Sequence, residues 1–344
     1  MLKKIAFWLL VVCFIGGGIY AYLYLTAAKK PKVMALQAIP DDCVFIIESS
    51  DFFKLWKKLN ETNLIWQELQ QVEYFREIRE TGKIIDSVLS VDDEVKEIFN
   101  ENPVYLAGVE FEDKRDYLYA LNVNMNKAGK LVDFVKRIAV DLAETETKTT
   151  KEKIWQFTLK TGKGHLFLYV KDGLALISQK PQILDRAIAC INKNCVANDA
   201  RFKKVSEMAG SSVDFRFYSN AAWSGKMYLN FLNRNSLFES LAAKQTKGWT
   251  EMDVDFKPNE MKVNGFTIPD SSSFLNYLAA QTPQEYKFIN SVPQSTDNFL
   301  FLGLGDFSEL YNKVEANVLS DVDRNNHKKL FSDLSDKVGM NLCD

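Results

Sequence analysis

The 344-residue sequence predicts an α+β fold that follows a single transmembrane helix. Three observations lead to this prediction. Residues Ile5–Leu25 carry no charge, and a helix of that length, at ~1.5 Å of rise per residue, crosses ~30 Å of hydrocarbon. After this stretch, apolar runs of strand length occur in neighbouring pairs, and amphipathic helical stretches form separate groups. Such an arrangement is typical of an antiparallel sheet with helices packed on it.

The apolar stretch is best explained as an uncleaved signal anchor. Two lysines precede it and three follow it closely. It is longer than the apolar core of a secretory signal peptide, although Thr26 and Ala28 leave removal of the segment open. A short basic head before a long apolar core is the usual form of an exported anchor. We therefore expect residues 1–28 to be a transmembrane anchor with a cytoplasmic amino terminus, and residues 29–38 to be a linker.

The charge of the remaining chain argues against nucleic acid as a partner. Residues 1–32 contain five lysines and no acidic residue, so the rest carries 38 basic and 45 acidic residues, a net charge of −7. Phosphate binding needs a basic face. The expected partners are therefore the membrane, through the single anchor, and other proteins.

The first elements after the linker follow from periodicity and turn residues. Cys43–Glu48 is a continuous apolar run, and an amphipathic pattern begins near Asp51, where Ser49 or Ser50 can cap a helix. The next predicted elements are helices from about Thr62, at 83–89 and at 92–99.

The middle of the chain is predicted to form strands and helices in alternating groups. Asp172-Gly173 between two apolar runs is a strong hairpin signal, and Pro181 suits the first turn of a helix. The predicted strands are 104–111, 117–123, 154–159, 165–170, 174–178, 213–218, 251–255 and 260–267. The predicted helices are 127–143, 181–191, 200–209 and 225–243, with short helices in 271–290.

Two segments are similar enough to indicate an internal repeat. Val44–Leu59 and Phe299–Val314 align without a gap, and Asp51, Phe52, Leu55 and Lys58 are identical to their counterparts. Each copy predicts an apolar strand, an Asp at the start of a helix and an aromatic stripe. Coincidence between two amphipathic units is the alternative. We therefore divide the body into a first α+β module, 39–291, and the apparently incomplete start of a second module, 292–344.

These features resemble a family of membrane-anchored envelope proteins of unknown function from Gram-negative bacteria. The resemblance lies in the anchor and in the segments IPDDCVFIIESSDFFKLWKKLN, WQELQQVEYF and GWTEMDVDFKPNEMKVNGFT. It implies an inner-membrane protein whose body of two related modules faces the periplasm. It implies no catalytic residue, because the family has no established activity.

Cys190 and Cys195 are the only closely spaced cysteines among five. In an oxidising compartment they could close a small loop as a disulfide, and two free thiols are the alternative.

No combination of residues predicts a catalytic, cofactor or metal site. His165 and His327 are the only histidines and lie far apart. Residues 321–326 have the opening spacing of a calcium loop, but Asn326 and Ser332 replace its glycine and glutamate, so a helix start explains them equally well. Asp253 and Asp255 share one face of a strand, where we expect a solvated row.

The sequence therefore favours a membrane-anchored, non-enzymatic scaffold or protein-interaction module outside the cytoplasm. A carrier or sensor of an apolar ligand is the alternative, and a closed apolar pocket would favour it. A hydrolase built on scattered carboxylates is a third class, which a cleft holding two acids with perturbed pKa values would favour.

Overall fold

The architecture was determined from a computed structural model. It describes residues 31–71, 76, 79, 83, 93–111, 114–159, 165–191, 193, 195–210, 213–223, 248–271, 273–285, 287, 292–296, 301, 303–317 and 321–339. The stretches Ile5–Leu25 and 225–243, and nearly all of 83–89, lie outside these residues. Within the described part of the chain, no helix is both long and apolar enough to cross a bilayer. The anchor therefore stays a prediction.

Ten strands form one sheet. Their bounds are β1 Cys43–Ser49, β2 Val104–Phe111, β3 Lys114–Asn122, β4 Ala139–Glu146, β5 Lys153–Leu159, β6 Leu166–Lys171, β7 Leu174–Ser178, β8 Phe215–Asn220, β9 Gly248–Lys257 and β10 Glu260–Pro269. Their order across the sheet is β10-β9-β8-β1-β2-β3-β7-β6-β5-β4. Each neighbouring pair from β1 to β4 is antiparallel. The α+β prediction is confirmed.

Nine α-helices occur in the described residues. Their bounds are α1 Phe52–Thr62, α2 Leu64–Leu69, α3 Asp93–Glu101, α4 Ala128–Ile138, α5 Pro181–Cys190, α6 Ala200–Met208, α7 Phe274–Ala279, α8 Phe307–Asn317 and α9 Asp321–Val338. Short 3-10 helices span Ala35–Ala38 and Val196–Asn198.

The contacts divide the chain into two compact units. The first consists of Met1–Tyr218 and Glu251–Gly265, and the second of Ser219–Thr250 and Phe266–Asp344. This division does not test the predicted boundary at residue 292, which stays a prediction.

Helices α3 and α4 cover one face of the sheet in the first unit. Leu131 and Phe134 of α4 pack in a buried cluster with Leu121 of β3, Phe157 of β5 and Leu168 of β6. Side chains alternate between the faces of a strand, and in β7 both alternating sets are buried. The strand therefore has cover on both faces, which explains its continuous apolar sequence.

The segment before β1 supplies part of the cover on the second face. Ala35, Ala38 and Ile39 have no exposed surface. The Asn122 side chain at the end of β3 holds this segment: its Nδ2 donates to the Val33 carbonyl oxygen at 2.7 Å, and its Oδ1 accepts from the Ala35 amide at 2.9 Å. Within the stretch assigned to a linker, these residues are thus packed on the sheet.

The β6–β7 turn is shaped to receive the same segment. The Lys32 amide donates to the Asp172 carbonyl oxygen at 2.9 Å. Gly173 has a φ of +79°, and a Cβ there would lie 2.6 Å from the Pro31 Cα. Only glycine combines this backbone conformation with so close an approach.

Two local predictions were wrong. The helix expected over 127–143 ends at Ile138, and Ala139–Glu146 is instead the edge strand β4. The cap of α1 is the Asp51 carboxylate rather than Ser49 or Ser50, because Asp51 Oδ1 accepts from the Lys54 amide at 2.9 Å.

The two copies of the predicted repeat share one local feature. Asp306 Oδ1 accepts from the Glu309 amide at 2.8 Å, as Asp51 does from Lys54. The apolar half differs, since Phe301, Gly303 and Leu304 are not in a strand, although Phe299, Leu300 and Leu302 lie outside the described residues. The duplication stays a prediction.

We predict that Asn122→Ala lowers the free energy of unfolding by about 3 kcal/mol, because it removes the hydrogen bonds to the Val33 carbonyl and the Ala35 amide. Urea denaturation of the detergent-solubilised full chain measures the change. The exposed Asn126 provides the matched control, and Asn126→Ala should change the stability by less than about 0.5 kcal/mol. Equal stabilities of the two variants would contradict the role of Asn122.

Candidate functional site

Three neighbouring strands place charged side chains inside the first unit. Glu48 comes from β1, Arg216 and Tyr218 from β8, and Glu251 and Asp253 from β9. Residues two apart on a strand share a face, and these strands are adjacent in the sheet. We call these five residues the charged cluster.

Arg216 lies at the centre of the charged cluster. Its Nη1 is 3.0 Å from Glu48 Oε1, and its Nε is 3.7 Å from Asp253 Oδ1. The same Nε donates to the Gly210 carbonyl oxygen at 3.1 Å. The side chains of Arg216, Glu48 and Asp253 are only 19%, 11% and 17% exposed. The cluster is therefore largely removed from water, where charged hydrogen bonds are stronger than at the surface.

Two tyrosines complete the surroundings of Glu48. The Tyr218 hydroxyl donates to Glu48 Oε2 at 2.9 Å, and Tyr105 is the cross-strand neighbour of Glu48 on β2. Burial, followed by the negative charge of Glu48, raises the pKa of both phenols well above its ordinary value. Both tyrosines are therefore neutral at physiological pH, and Tyr218 acts as a hydrogen-bond donor rather than a base.

The segment after α6 closes over Asp253. The Gly210 amide donates to Asp253 Oδ2 at 2.8 Å. A Cβ at Gly210 would lie 2.5 Å from that same oxygen. A larger residue at this position would therefore push the loop away from the carboxylate.

Glu251 is the unusual member of the charged cluster. It has no exposed surface, and neither of its carboxyl oxygens has a hydrogen-bond partner in the part of the chain that the structure describes. Burial, followed by the neighbouring Asp253 carboxyl group through hydrogen bonding to the protonated form and through its charge, raises the pKa of Glu251 to about 7. Arg216 opposes this shift but does not cancel it. The carboxyl group therefore holds a proton below neutral pH.

Glu251 in the charged cluster can hold a proton near pH 7, but solvent does not reach its carboxyl group. A carboxyl group near pH 7 beside a second carboxylate is a known basis for acid–base chemistry. A substrate would have to reach Glu251, and the side chain has no surface exposed to solvent. In this conformation the cluster can fix the strands and hold a proton, and it cannot bind a substrate.

The other sequence candidates do not join this cluster. The prediction that Asp253 belongs to a solvated row was wrong. Its side chain instead contacts Arg216 and Gly210. His165 is exposed, and its Nδ1 lies 3.0 Å from Thr158 Oγ1. Residues 321–326 form the first turns of α9, so the calcium-loop interpretation is wrong. Among the described residues, no three His, Cys, Asp or Glu side chains are placed to hold a metal ion.

Cys190 and Cys195 are joined in a disulfide, with their Cα atoms 5.5 Å apart. This separation is within the range that such a bond requires. The Val196 amide, next in the chain, donates to the Ile39 carbonyl oxygen at 3.2 Å. The disulfide thus lies beside the segment that covers the sheet. Cys43 is a buried free thiol, and burial raises its pKa.

A second candidate is a cavity of about 240 Å³ between the β4–β5 hairpin and α5. The lining residues are Thr145, Glu146, Lys148, Gln156, Phe167, Pro181, Gln182 and Asp185, and the surface that they present to the cavity is more apolar than polar. The cavity is smaller than the ~300–1,000 Å³ of most ligand pockets.

Asp185 in this cavity has a structural role. Its carboxylate accepts from the Thr149 amide at 2.6 Å, and from the Thr150 amide and hydroxyl at 2.8 and 2.7 Å. Burial would raise the pKa of Asp185, but the hydrogen bonds from Thr150 and Thr149 outweigh it and lower the pKa to about 2. The carboxylate is ionised under ordinary conditions and fixes the β4–β5 turn to α5.

Comparisons with known proteins assign no family. A scan against protein-family models finds no match, and a search of the curated proteins finds none. Among solved structures, three crystal forms of TP0453 match. Form IV is 12% identical with a TM-score of 0.36, over 68% of this chain and 80% of that chain. Form III is 12% identical with a TM-score of 0.37, over 73% and 87%, and form I is 13% identical with a TM-score of 0.35, over 68% and 78%. At these TM-scores the similarity carries no argument about this chain.

Sequence reasoning missed Glu48, Arg216 and Glu251. Each is a charged residue within a stretch that the sequence predicts as a strand. Such a residue in a buried strand requires a partner, so the three together were the available signal. Their convergence depends on strand order, which local patterns do not contain.

We predict that Glu251→Gln stabilises the chain above neutral pH. A carboxyl whose pKa is about 7 in the folded state and ~4.5 when unfolded makes stability fall as pH rises from ~4.5 to ~7, with little further change above that. The neutral amide removes this loss, which amounts to at most ~3 kcal/mol.

Urea denaturation between pH 5 and pH 8 measures this effect. Glu260→Gln, at an exposed position of β10, is the control and should follow the unsubstituted chain across the range. Parallel stability curves for Glu251→Gln and the unsubstituted chain would contradict a raised pKa at Glu251.

Proposed function

We propose that this chain is a non-enzymatic scaffold or protein-interaction module of the bacterial envelope. In this proposal one helix at Ile5–Leu25 holds it in the inner membrane, and the body faces the periplasm. The long uncharged stretch, its flanking lysines and the resemblance of the sequence to anchored envelope proteins support this location.

The state of the charged cluster supports a role without catalysis. Its members are used to join β1, β8 and β9 to one another and to the loop at Gly210. Glu251, the group with the most suitable pKa for acid–base chemistry, is sealed from solvent. The ionisable side chains of the charged cluster thus stabilise the fold.

The edge strand β10 is the observation that carries the interaction role. Among the strands that the structure describes, it is the last of the sheet at that side, and its residues from Glu260 to Thr267 are exposed. Met261 and Val263 are 48% and 44% exposed. A long edge with exposed apolar side chains is prone to pair with another chain, and addition of a partner strand is a common mode of recognition.

The alternative, a carrier or sensor of an apolar ligand, gains nothing from the cavity beside α5. That cavity is about 240 Å³, which is below the ~300–1,000 Å³ of most ligand pockets.

Site-specific photo-crosslinking in intact cells tests the interaction role. A photoreactive residue replaces Met261 on β10, and the control replaces Met208 at the end of α6, which is similarly exposed at 44%. We expect a discrete adduct, identified by mass spectrometry, from position 261 and none of that mass from position 208. The same adducts from both positions, or none from position 261, would contradict a binding edge at β10.

A further inference from the structure

The position where the chain enters its folded body restricts how that body can lie on the membrane. Six residue steps separate Leu25, the last residue of the apolar stretch, from Pro31. At no more than ~3.6 Å per step, Pro31 lies within ~22 Å of the hydrocarbon edge. Headgroups occupy ~5–8 Å of that distance. Pro31 and the surface around it are therefore held close to the bilayer.

Two turns share this end of the sheet with Pro31. The β6–β7 turn contacts it directly, through the close approach of Gly173 and the hydrogen bond between Lys32 and Asp172. The β4–β5 turn lies beside the β6–β7 turn, because Lys171 Nζ is 2.8 Å from Glu152 Oε1. We call Pro31–Lys32, residues 147–153 and residues 171–174 the Pro31 end of the sheet.

The Pro31 end carries an excess of exposed basic groups. The exposed lysines are Lys32, Lys148, Lys151, Lys153 and Lys171. Three of them form ion pairs, Lys32 with Asp172, Lys171 with Glu152 and Lys153 with Glu144 of β4, and Glu146 lies opposite Lys153. The excess positive charge of the described residues at this end therefore comes from Lys148 and Lys151. The tether adds Lys29 and Lys30. This local excess contrasts with the net charge of −7 for the body after residue 32. Anionic phospholipid headgroups attract such a surface over roughly the Debye length.

The lysine-bearing β4–β5 turn is held in one conformation. Lys151 has a φ of +55°, which a non-glycine residue adopts only where its surroundings impose it. The surroundings here are the Asp185 hydrogen bonds to Thr149 and Thr150. The turn thus presents Lys148 and Lys151 from a fixed backbone rather than from a mobile loop.

We propose that the Pro31 end of the sheet rests on anionic phospholipid headgroups of the membrane that holds the anchor. The opposite end, with Asp41 and Asp42 before β1 and Lys180 after β7, then faces away from the bilayer. This proposal rests on the anchor of the proposed function, and it adds an orientation that the anchor alone does not require.

Spin labels on the full chain in liposomes test the orientation. One label replaces Lys148 at the Pro31 end, and the matched label replaces the exposed Lys180 at the opposite end. Both variants also carry Cys13→Ser and Cys343→Ser, so that the label has one accessible thiol. A nickel-chelating lipid relaxes labels that lie near the headgroups.

We expect several-fold stronger relaxation at position 148 than at position 180 in vesicles of phosphatidylcholine with phosphatidylglycerol. The difference should shrink in phosphatidylcholine alone and at ~1 M salt, where charges are screened within ~3 Å. Equal relaxation at the two positions, or stronger relaxation at 180, would overturn the orientation while leaving the anchor intact.

Flotation of the same samples separates the two proposals. If the protein floats with the vesicles after a carbonate wash, the anchor is supported, and the relaxation data then decide the orientation. Chain that stays at the bottom of the gradient would overturn the anchor, and this proposal with it.

Discussion

The hydrogen bonds of one buried amide, Asn122, connect the start of the folded chain to the centre of the sheet. Its side chain donates to the Val33 carbonyl and accepts from the Ala35 amide of one segment, and it donates to the Gly173 carbonyl of another segment at 3.3 Å. Without it, the Val33 carbonyl and the Ala35 amide would lose these hydrogen bonds, at a cost of about 1–3 kcal/mol each, whereas the Gly173 carbonyl would still accept from the Val123 amide. This arrangement holds the covering segment on the sheet and close to Gly173. It also keeps the tether to the predicted anchor short.

A second constraint is the charge balance inside the sheet. One guanidinium, that of Arg216, faces the carboxyl groups of Glu48, Asp253 and Glu251. One positive charge cannot compensate three buried negative charges, so the carboxyl with the fewest hydrogen bonds keeps its proton until about pH 7. Buried ion pairs contribute little net stability, but they do penalise wrong pairings. In this chain the Glu48–Arg216 pair joins two strands that are separated by more than 150 residues.

Local chemistry predicted much of the fold. Asp172-Gly173, the alternating or continuous apolar runs and Pro181 placed β6, β7 and α5 within a residue or two. The spacing of Cys190 and Cys195 left a disulfide and two free thiols open, and the structure contains the disulfide. The continuation of α4 into 139–143 failed, because β4 is an edge strand whose residues are mostly exposed and carry little strand pattern. The charged cluster also escaped prediction, since it depends on β8 lying beside β1, and no local signal encodes that pairing.

The central claim is that residues 32–38, which closely follow the predicted anchor, are part of the fold. Hydrogen exchange of the full chain in lipid vesicles, followed by mass spectrometry, tests this claim most directly. We expect the Ala35 amide, which is hydrogen-bonded to Asn122, to exchange as slowly as the amides of β3. Exchange of residues 32–38 at the rate of an unstructured linker would show that the segment is not part of the fold, and would contradict both the closed face and the short tether.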